Sequence, residues 1–206
     1  MIVHPILEPT LSEALLTRIL TNLGIVDKPE RDLAGLNRIY AAFSGNVPND
    51  NIQKRIWFTS DRTRPVTGGD PIEFFENWLA HGTGGTCFPT NGGLYTLLRA
   101  IGFSANRISG SVIRADVEPE NNHGSVLVNL EGIDYLVDGQ LAAFTALPLV
   151  PGKFSSTGNR ICDIQAVPVP GGFDVQWYPS SDRENPVTMR PNLEKGSVDH
   201  QFFLTY

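Results

Sequence analysis

The sequence predicts an α+β protein in which a helical N-terminal lobe leads into a mostly antiparallel β lobe. Two observations carry this prediction. Apolar residues recur at helical spacing through the first 85 residues, and beyond Gly102 they form short β-branched runs separated by turns. With 206 residues, the chain fits one compact unit of two lobes better than two independent domains. We assign residues 1–85 to the helical lobe and residues 86–206 to a further helix and the β lobe.

Three helices are predicted in the N-terminal lobe, and a fourth follows it. Thr10 and Glu13 have the spacing of a capping box, which places the first N-cap at Thr10. Asp70 precedes a first-turn proline and is the expected N-cap of the third helix, while Gly102 ends the fourth. Residues 54–69 fit no helical pattern and leave an extended conformation open. The apolar faces contain Leu11, Leu15, Ile19 and Leu23; Leu33, Leu36, Ile39, Tyr40 and Phe43; Ile72, Phe75, Trp78 and Leu79; and Leu94, Leu97, Leu98 and Ile101.

The β lobe is predicted from short runs rich in β-branched residues. The runs cover residues 108–113, 125–130, 133–137, 161–169 and 173–178. Glu131-Gly132 and Pro170-Gly171-Gly172 separate neighbouring runs and have the composition of hairpin turns. Short turns of this kind join antiparallel strands, so we expect a mostly antiparallel sheet.

Composition and charge narrow the classes of partner. The formal net charge is −6. Nucleic acids and anionic membranes are bound by basic surfaces, so this acidic balance argues against both as partners. No apolar run approaches the roughly 20 residues that span a bilayer, and the first residues lack the regions of a signal peptide. The two cysteines, Cys87 and Cys162, are few for a small secreted protein, and no His or Cys pair has metal-ligand spacing. We therefore expect a cytoplasmic protein without a metal, and Cys162 to be inert core.

Cys87 lies in a glycine-rich stretch that suits a reactive thiol. The stretch from His81 to Gly92 reads HGTGGTCFPTNG, and the fourth helix is predicted shortly after it. Glycines allow close approach of the backbone, and the positive end of a helix dipole lowers the pKa of a cysteine. A buried, unreactive cysteine at a tight turn would explain the same residues. A phosphate-binding loop is excluded, because the stretch lacks the Gly-Lys-Ser/Thr ending that such loops have.

His123 is the strongest candidate for the base that a thiol nucleophile needs. It precedes the predicted strand 125–130, and Asp138 follows the next strand, 133–137. An antiparallel hairpin would make the two side chains neighbours, so that Asp138 holds one imidazole nitrogen while the other faces Cys87. A surface pair without a catalytic role is the alternative. The other histidines lie near the chain ends or at a helix end: His4, His200 and His81.

These residues and their surroundings resemble the arylamine N-acetyltransferase family. The family is marked by an Arg-Gly-Gly-x-Cys-x-Glu-x-Asn stretch, then a histidine that opens one strand and an aspartate that closes the next. Here residues 83–91 read TGGTCFPTN, followed by HGSVLV from His123 and YLVDG around Asp138. The resemblance extends over residues 10–150.

The resemblance implies a fold and a reaction. The fold is a helical bundle followed by an antiparallel β-barrel, with a cysteine-protease-like core, and then an α/β lid. The reaction is a ping-pong transfer in which Cys87, activated by His123 and Asp138, takes an acyl group from a thioester and passes it to an arylamine-type nitrogen. The donor would be acetyl-coenzyme A or another acyl thioester, including a carrier-bound one. Phe88 and Phe103 are candidates for lining the acceptor pocket, with a place in the apolar core as the alternative.

Three departures from the family pattern bear on these expectations. Thr83 and Pro89 replace the arginine and the glutamate, and their joint replacement is expected if the two normally form an ion pair. After Asp138 the chain reads Gly-Gln-Leu rather than Val-Gly-Phe-Gly, which changes the floor of the acceptor pocket. The chain ends at Tyr206, short of a typical member, so we expect the C-terminal lid to be reduced or absent.

Two other functions stay open on the sequence alone. A transglutaminase-like or papain-like cysteine hydrolase uses the same Cys–His–Asp order, although the glycines before Cys87 and Asn91 after it favour the acetyltransferase. An inactive family member that acts as a binding protein would explain the missing arginine and glutamate. It would not explain why all three triad residue types are present.

Overall fold

The structure is a computed structural model that describes residues 8–60, 69–113, 120–194 and 196–204. The helices are α1 (Glu13–Asn22), α2 (Leu33–Asn46), α3 (Ile52–Thr59), α4 (Pro71–His81), α5 (Cys87–Ile101) and α6 (His200–Leu204). The strands are β1 (Ser104–Ile113), β2 (His123–Leu130), β3 (Ile133–Val137), β4 (Leu147–Leu149), β5 (Ser155–Gly158), β6 (Cys162–Val169), β7 (Gly172–Pro179) and β8 (Val187–Pro191). Within the described ranges, no helix has the length and apolar character needed to cross a membrane.

Side-chain caps fix where the N-terminal helices begin. The Ser12 hydroxyl accepts a hydrogen bond from the Leu15 N–H at 3.2 Å, so Ser12 is the N-cap of α1 and the predicted cap at Thr10 is wrong. Ser12 takes this role because it directly precedes the first helical residue with an extended backbone. Asp70 caps α4 as predicted, accepting from two backbone N–H groups of the first turn.

One helix in this lobe lacks the pattern on which the sequence prediction depended. The extended conformation left open for residues 54–69 is wrong for residues 54–59, which belong to α3, and residues 61–68 lie outside the described part. Gln53 is the buried residue of α3, so the apolar side chains of this helix form no stripe that faces the core. Leu33 and Ile72, predicted to face inward, are 40% and 39% exposed because each lies in the first turn of its helix.

In the described part of the chain, eight antiparallel strands form one sheet in the order β4-β3-β2-β1-β8-β7-β6-β5. The two edge strands approach each other, and the Ser155 hydroxyl donates to the Pro148 carbonyl across the gap. The sheet is therefore an almost closed barrel. Strands β4, β5 and β8, of three, four and five residues, were not predicted.

Helix α5 connects the two lobes. It packs against α4 on one side and against β1 and β2 on the other. A single apolar cluster includes Phe43 and Phe75 of the helical lobe, Leu97 of α5, and Val128 and Ile164 of the barrel. The N-terminus of α5 therefore lies where the two lobes meet, and it carries Cys87.

Candidate active site

Cys87 is the first residue of α5, with Thr86 as the N-cap. We expected the helix to begin only after the cysteine, and its earlier start places the thiol within the first turn. The first N–H groups of a helix have no partner inside it and point out of its end. The sulfur of Cys87 is therefore beside a positive partial charge, which stabilises a thiolate. Cys87 is partly exposed, so a substrate can reach it.

The barrel brings His123 and Asp138 to Cys87. His123 opens β2, and Asp138 follows the last residue of β3, the strand paired with β2. The His123 Nε2 atom lies 2.6 Å from Asp138 Oδ2, and the His123 ring is close enough to the Cys87 thiol for each to shift the pKa of the other. The carbonyl of Asn122 lies 3.8 Å from the Cys87 sulfur. The three residues thus stand in the order thiol, imidazole, carboxylate.

The three groups shift one another's pKa values toward an ion pair. Burial raises the pKa of Cys87, but the hydrogen bond and positive charge of His123 outweigh it and lower that pKa from 9.0. Burial lowers the pKa of His123, yet the Asp138 carboxylate raises it from 6.5 to about 10. Burial raises the pKa of Asp138, but the positive charge of His123 and the hydrogen bonds from His123, Ser125 and Asn91 outweigh it and lower that pKa. These shifts favour a thiolate beside an imidazolium.

The Asp138 carboxylate is fully buried and receives four hydrogen bonds. Its Oδ2 accepts from His123 and, at 2.5 Å, from the Ser125 hydroxyl. Its Oδ1 accepts from the Asn91 side chain at 2.9 Å and from the Gln140 backbone N–H at 3.0 Å. This shell holds the carboxylate ionised and oriented toward the imidazole. The sequence analysis missed Ser125, although its position two residues after His123 on one strand puts both on the same face.

Asn91 ties α5 to both strands of the hairpin formed by β2 and β3. It is completely buried and lies one turn after Cys87 on α5. Its amide nitrogen donates to the Gly124 carbonyl at 2.6 Å as well as to Asp138, and its oxygen accepts from the Gly139 N–H at 2.9 Å. Its spacing of four residues from Cys87 puts the two on one helix face, which is the signal that could have assigned it this role.

Gly84, three residues before Cys87, must be a glycine because of its contact with the segment between α2 and α3. A β-carbon on Gly84 would lie 1.7 Å from the Pro48 carbonyl oxygen. The Gly84 N–H donates to the Asp50 carboxylate at 2.7 Å, and the Gly85 carbonyl accepts from the Asp50 N–H at 3.2 Å. The glycine stretch therefore anchors the start of α5 to the helical lobe.

Replacing Gly84 with alanine should lower the free energy of unfolding by about 1–3 kcal/mol, because the added carbon overlaps backbone that cannot move aside. Thermal and urea unfolding measure the change. Gly45→Ala is the matched control: Gly45 is in α2 with no atom within 4 Å of an added β-carbon. It should keep its stability or gain about 0.5–1 kcal/mol. A Gly84→Ala protein as stable as the wild type would contradict the described backbone contact.

Neutral contacts occupy the positions of the missing arginine and glutamate. Thr83 is buried, and its hydroxyl accepts a hydrogen bond from the Gln53 side chain at 3.0 Å. The Pro89 ring packs against Gly85, at 2.9 Å from the site of an added β-carbon. Both contacts brace the glycine stretch without charged groups.

The two phenylalanines proposed for the acceptor pocket lie at opposite ends of α5. Phe88 follows Cys87, is buried, and packs edge-on against Phe203 with ring centroids 5.2 Å apart. Phe103 is two residues beyond the last residue of α5 and therefore more than about 20 Å along the helix from Cys87. It belongs to the apolar core. This position does not fit a pocket beside the thiol, so Phe103 keeps only the alternative core role.

A cavity of about 260 Å³ adjoins the segment that leads into His123. Asn121 lines it, and the next residue supplies the carbonyl near the Cys87 sulfur. The remaining walls come from the end of β1, the β6–β7 turn, the end of β8 and the residues that follow it. Arg190 on this wall is paired with Asp174 at 2.7 Å. Within the described residues, no group of three or more His, Cys, Asp or Glu could hold a metal ion.

Comparison with known proteins identifies relatives of this chain. A family model described as N-acetyltransferase matches residues 32–161. An arylamine N-acetyltransferase from Mycolicibacterium smegmatis is 32% identical over 125 residues, which are 58% of this chain and 43% of that protein. An N-malonyltransferase from Fusarium pseudograminearum is 29% identical over 167 residues, which are 73% of this chain and 47% of that protein. The chain thus matches less than half the length of these curated relatives.

A solved structure shares the fold over most of the chain. The arylamine N-acetyltransferase of Mycobacterium marinum in complex with CoA has a TM-score of 0.75 at 18% identity, covering 92% of this chain and 69% of that one. At this identity the likeness concerns the fold, whereas the family model covers more than half of the sequence. The chain belongs to the arylamine N-acetyltransferase family.

Proposed function

We propose that this protein transfers an acetyl group from acetyl-coenzyme A to an arylamine-type nitrogen through an acyl-enzyme on Cys87. The observation that carries the proposal is the grouping of Cys87, at the start of α5, with the imidazole of His123, which lies 2.6 Å from the Asp138 carboxylate. Membership of the family supports the reaction class, and a family member with the same fold has been solved in complex with CoA.

In the first half-reaction, the Cys87 thiolate attacks the thioester carbonyl. A bond forms between sulfur and the acyl carbon, and the carbonyl π electrons move to oxygen. The backbone N–H groups of the first turn of α5 are placed to stabilise this oxyanion. When the intermediate collapses, the carbon–sulfur bond to coenzyme A breaks. The His123 imidazolium gives its proton to the departing thiolate, which leaves as the free thiol.

In the second half-reaction, the amine attacks the acyl-enzyme and gives up a proton to neutral His123. The bond between the acyl carbon and Cys87 breaks, and the amide product leaves. The enzyme returns to its thiolate–imidazolium state without any outside proton donor. Asp138 stays ionised throughout and holds the imidazole in the tautomer that each step needs. The cavity lined by Asn121 is the space that we assign to the acceptor.

Steady-state assays with acetyl-coenzyme A and an arylamine test the proposal. We expect equimolar release of coenzyme A and formation of the N-acetyl product, with the parallel double-reciprocal lines of a ping-pong reaction. Malonyl-coenzyme A belongs in the same assay because an N-malonyltransferase is among the relatives. Release of coenzyme A at the same rate without an amine would instead indicate hydrolysis. No turnover with any thioester would contradict the proposal.

The pKa shifts predict how the reactivity of Cys87 depends on pH. Because the pKa of the thiol is lowered and that of His123 is raised to about 10, alkylation by iodoacetamide should reach its plateau below the pH that an ordinary cysteine requires. In a His123→Ala protein the hydrogen bond and positive charge of His123 are lost, while burial and the Asp138 carboxylate still raise the pKa of the thiol, so the midpoint should move to higher pH. A Cys162→Ala background restricts the measurement to Cys87. Identical profiles with and without His123 would contradict the ion pair.

A further inference from the structure

The short C-terminal helix α6 packs directly beneath the catalytic residues. It lies against α5, and Phe203 within it is 2% exposed. The Phe203 ring meets the Phe88 ring at 5.2 Å in an edge-on contact, while the neighbouring Phe202 ring meets the same ring at 6.0 Å. Phe88 directly follows Cys87, so α6 supports the segment that carries the thiol.

The same ring also supports the segment that carries the base. Gly124 follows His123, and a β-carbon on it would lie 2.9 Å from Phe203 Cζ and 2.6 Å from Phe88 Cδ1. The two rings therefore lie against the bare backbone of β2, where only glycine leaves room for them. Phe203 thus fills the space between Phe88, which follows Cys87, and Gly124, which follows His123.

Contacts with β1 and α5 hold α6 in this position. The Val198 N–H donates to the Arg107 carbonyl at 2.9 Å, and Asp199 accepts from the Phe202 N–H at 2.8 Å. The Arg107 guanidinium is 1% exposed, forms an ion pair with Glu8, and lies 5.5 Å from the Phe203 ring centroid. It also lies 4.3 Å from the ring of Tyr95 in α5. A buried cation over these two rings attracts both and restricts their movement.

We propose that Phe203 is a positioning residue, which fixes the separation between the Cys87 sulfur and the His123 ring. It acts through Phe88 and Gly124, the neighbours of these two residues, and it does not line the cavity assigned to the acceptor. The inference rests on the proposed function, because it assigns Phe203 a role in the same reaction.

Phe203→Ala should weaken the thiol–imidazole pair without weakening substrate binding. We expect the midpoint of Cys87 alkylation to rise by about 0.5–1 pH unit, which lowers the rate below the midpoint about threefold to tenfold. The value of kcat should fall by a similar factor while KM for the donor changes less than about twofold. Phe203→Leu keeps most of the buried volume and should restore the wild-type profile. Phe75→Ala removes an equally buried ring from α4 and is the control for general destabilisation.

Two glycine variants test the same contact from the opposite side. Gly124→Ala should raise the alkylation midpoint because its β-carbon pushes against both rings. Gly92→Ala places a β-carbon 3.5 Å from Phe203 Cδ1, an ordinary contact distance, and should leave the midpoint unchanged. The effect of Gly124→Ala should also be smaller in the Phe203→Ala background, where Phe88 has room to move.

Alkylation does not require transfer, so failure of the proposed reaction would leave this test intact. An upward shift in Phe203→Ala and Gly124→Ala, absent from Phe75→Ala and Gly92→Ala, would support the inference. An unchanged midpoint in both Phe203→Ala and Gly124→Ala would overturn it. So would an equal shift in Phe75→Ala, because that would show a general effect of core damage.

Discussion

Replacing Cys87 with alanine is expected to lower acyl transfer at least about 10⁴-fold, because the acyl-enzyme can no longer form and His123 cannot replace it as the nucleophile. Cys87→Ser should be similarly inactive, since a serine hydroxyl has a far higher pKa than a thiol and is a much weaker nucleophile. Initial rates of N-acetyl product formation measure the loss. The variant should fold normally, because Cys87 is partly exposed.

Cys162 provides the control for this prediction. It is buried in β6, and its thiol donates to the Leu141 carbonyl at 3.0 Å. Burial raises the pKa of Cys162, which keeps it protonated at neutral pH. Cys162→Ala should therefore retain transfer while losing some stability. Activity that survives in Cys87→Ala but disappears in Cys162→Ala would show that the nucleophile has been assigned to the wrong cysteine.

Asp138→Asn is expected to lower kcat about 10²–10⁴-fold. The amide cannot supply the negative charge that raises the pKa of His123, so the imidazolium and the thiolate are both disfavoured. It also offers one acceptor where the carboxylate offers two, which leaves a donor from Ser125, Asn91 or His123 without its partner. The midpoint of Cys87 alkylation should rise together with the loss of kcat.

Asp134→Asn makes the same chemical change elsewhere on the hairpin. Asp134 is exposed in β3, where its carboxylate accepts from the Asn129 side chain at 2.7 Å. This variant should keep the wild-type rate and alkylation profile. If Asp138→Asn behaved like Asp134→Asn, the buried carboxylate would have no part in activating the thiol.

Much of the architecture follows from local patterns in the sequence. The helical spacing of Leu15, Ile19, Leu36 and Phe43 predicts two of the helices, and all four residues are buried. The glycine turn between β2 and β3 sets their register, which is why the hairpin could be predicted to bring His123 toward Asp138. Local patterns fail for α3 and for strands β4, β5 and β8, because packing with distant parts of the chain determines these elements.

The residues around the catalytic pair were harder to predict than the pair itself. Asn91 shares a helix face with Cys87, and Ser125 shares a strand face with His123, so periodicity points toward both once the site is known. The contact of Phe203 with Phe88 joins residues more than 100 positions apart in the sequence. No local pattern encodes such a contact, so it becomes visible only in the folded chain.

The most direct test of the account is the mass of the intact protein after incubation with acetyl-coenzyme A, beside a Cys87→Ala control. We predict an increase of one acetyl group in the wild type only, mapped to Cys87 by peptide analysis and removed by an added arylamine. An adduct on another residue would contradict the assignment of Cys87. The absence of any adduct, with acetyl-coenzyme A and with malonyl-coenzyme A, would contradict the acyl-enzyme on which the proposed function depends.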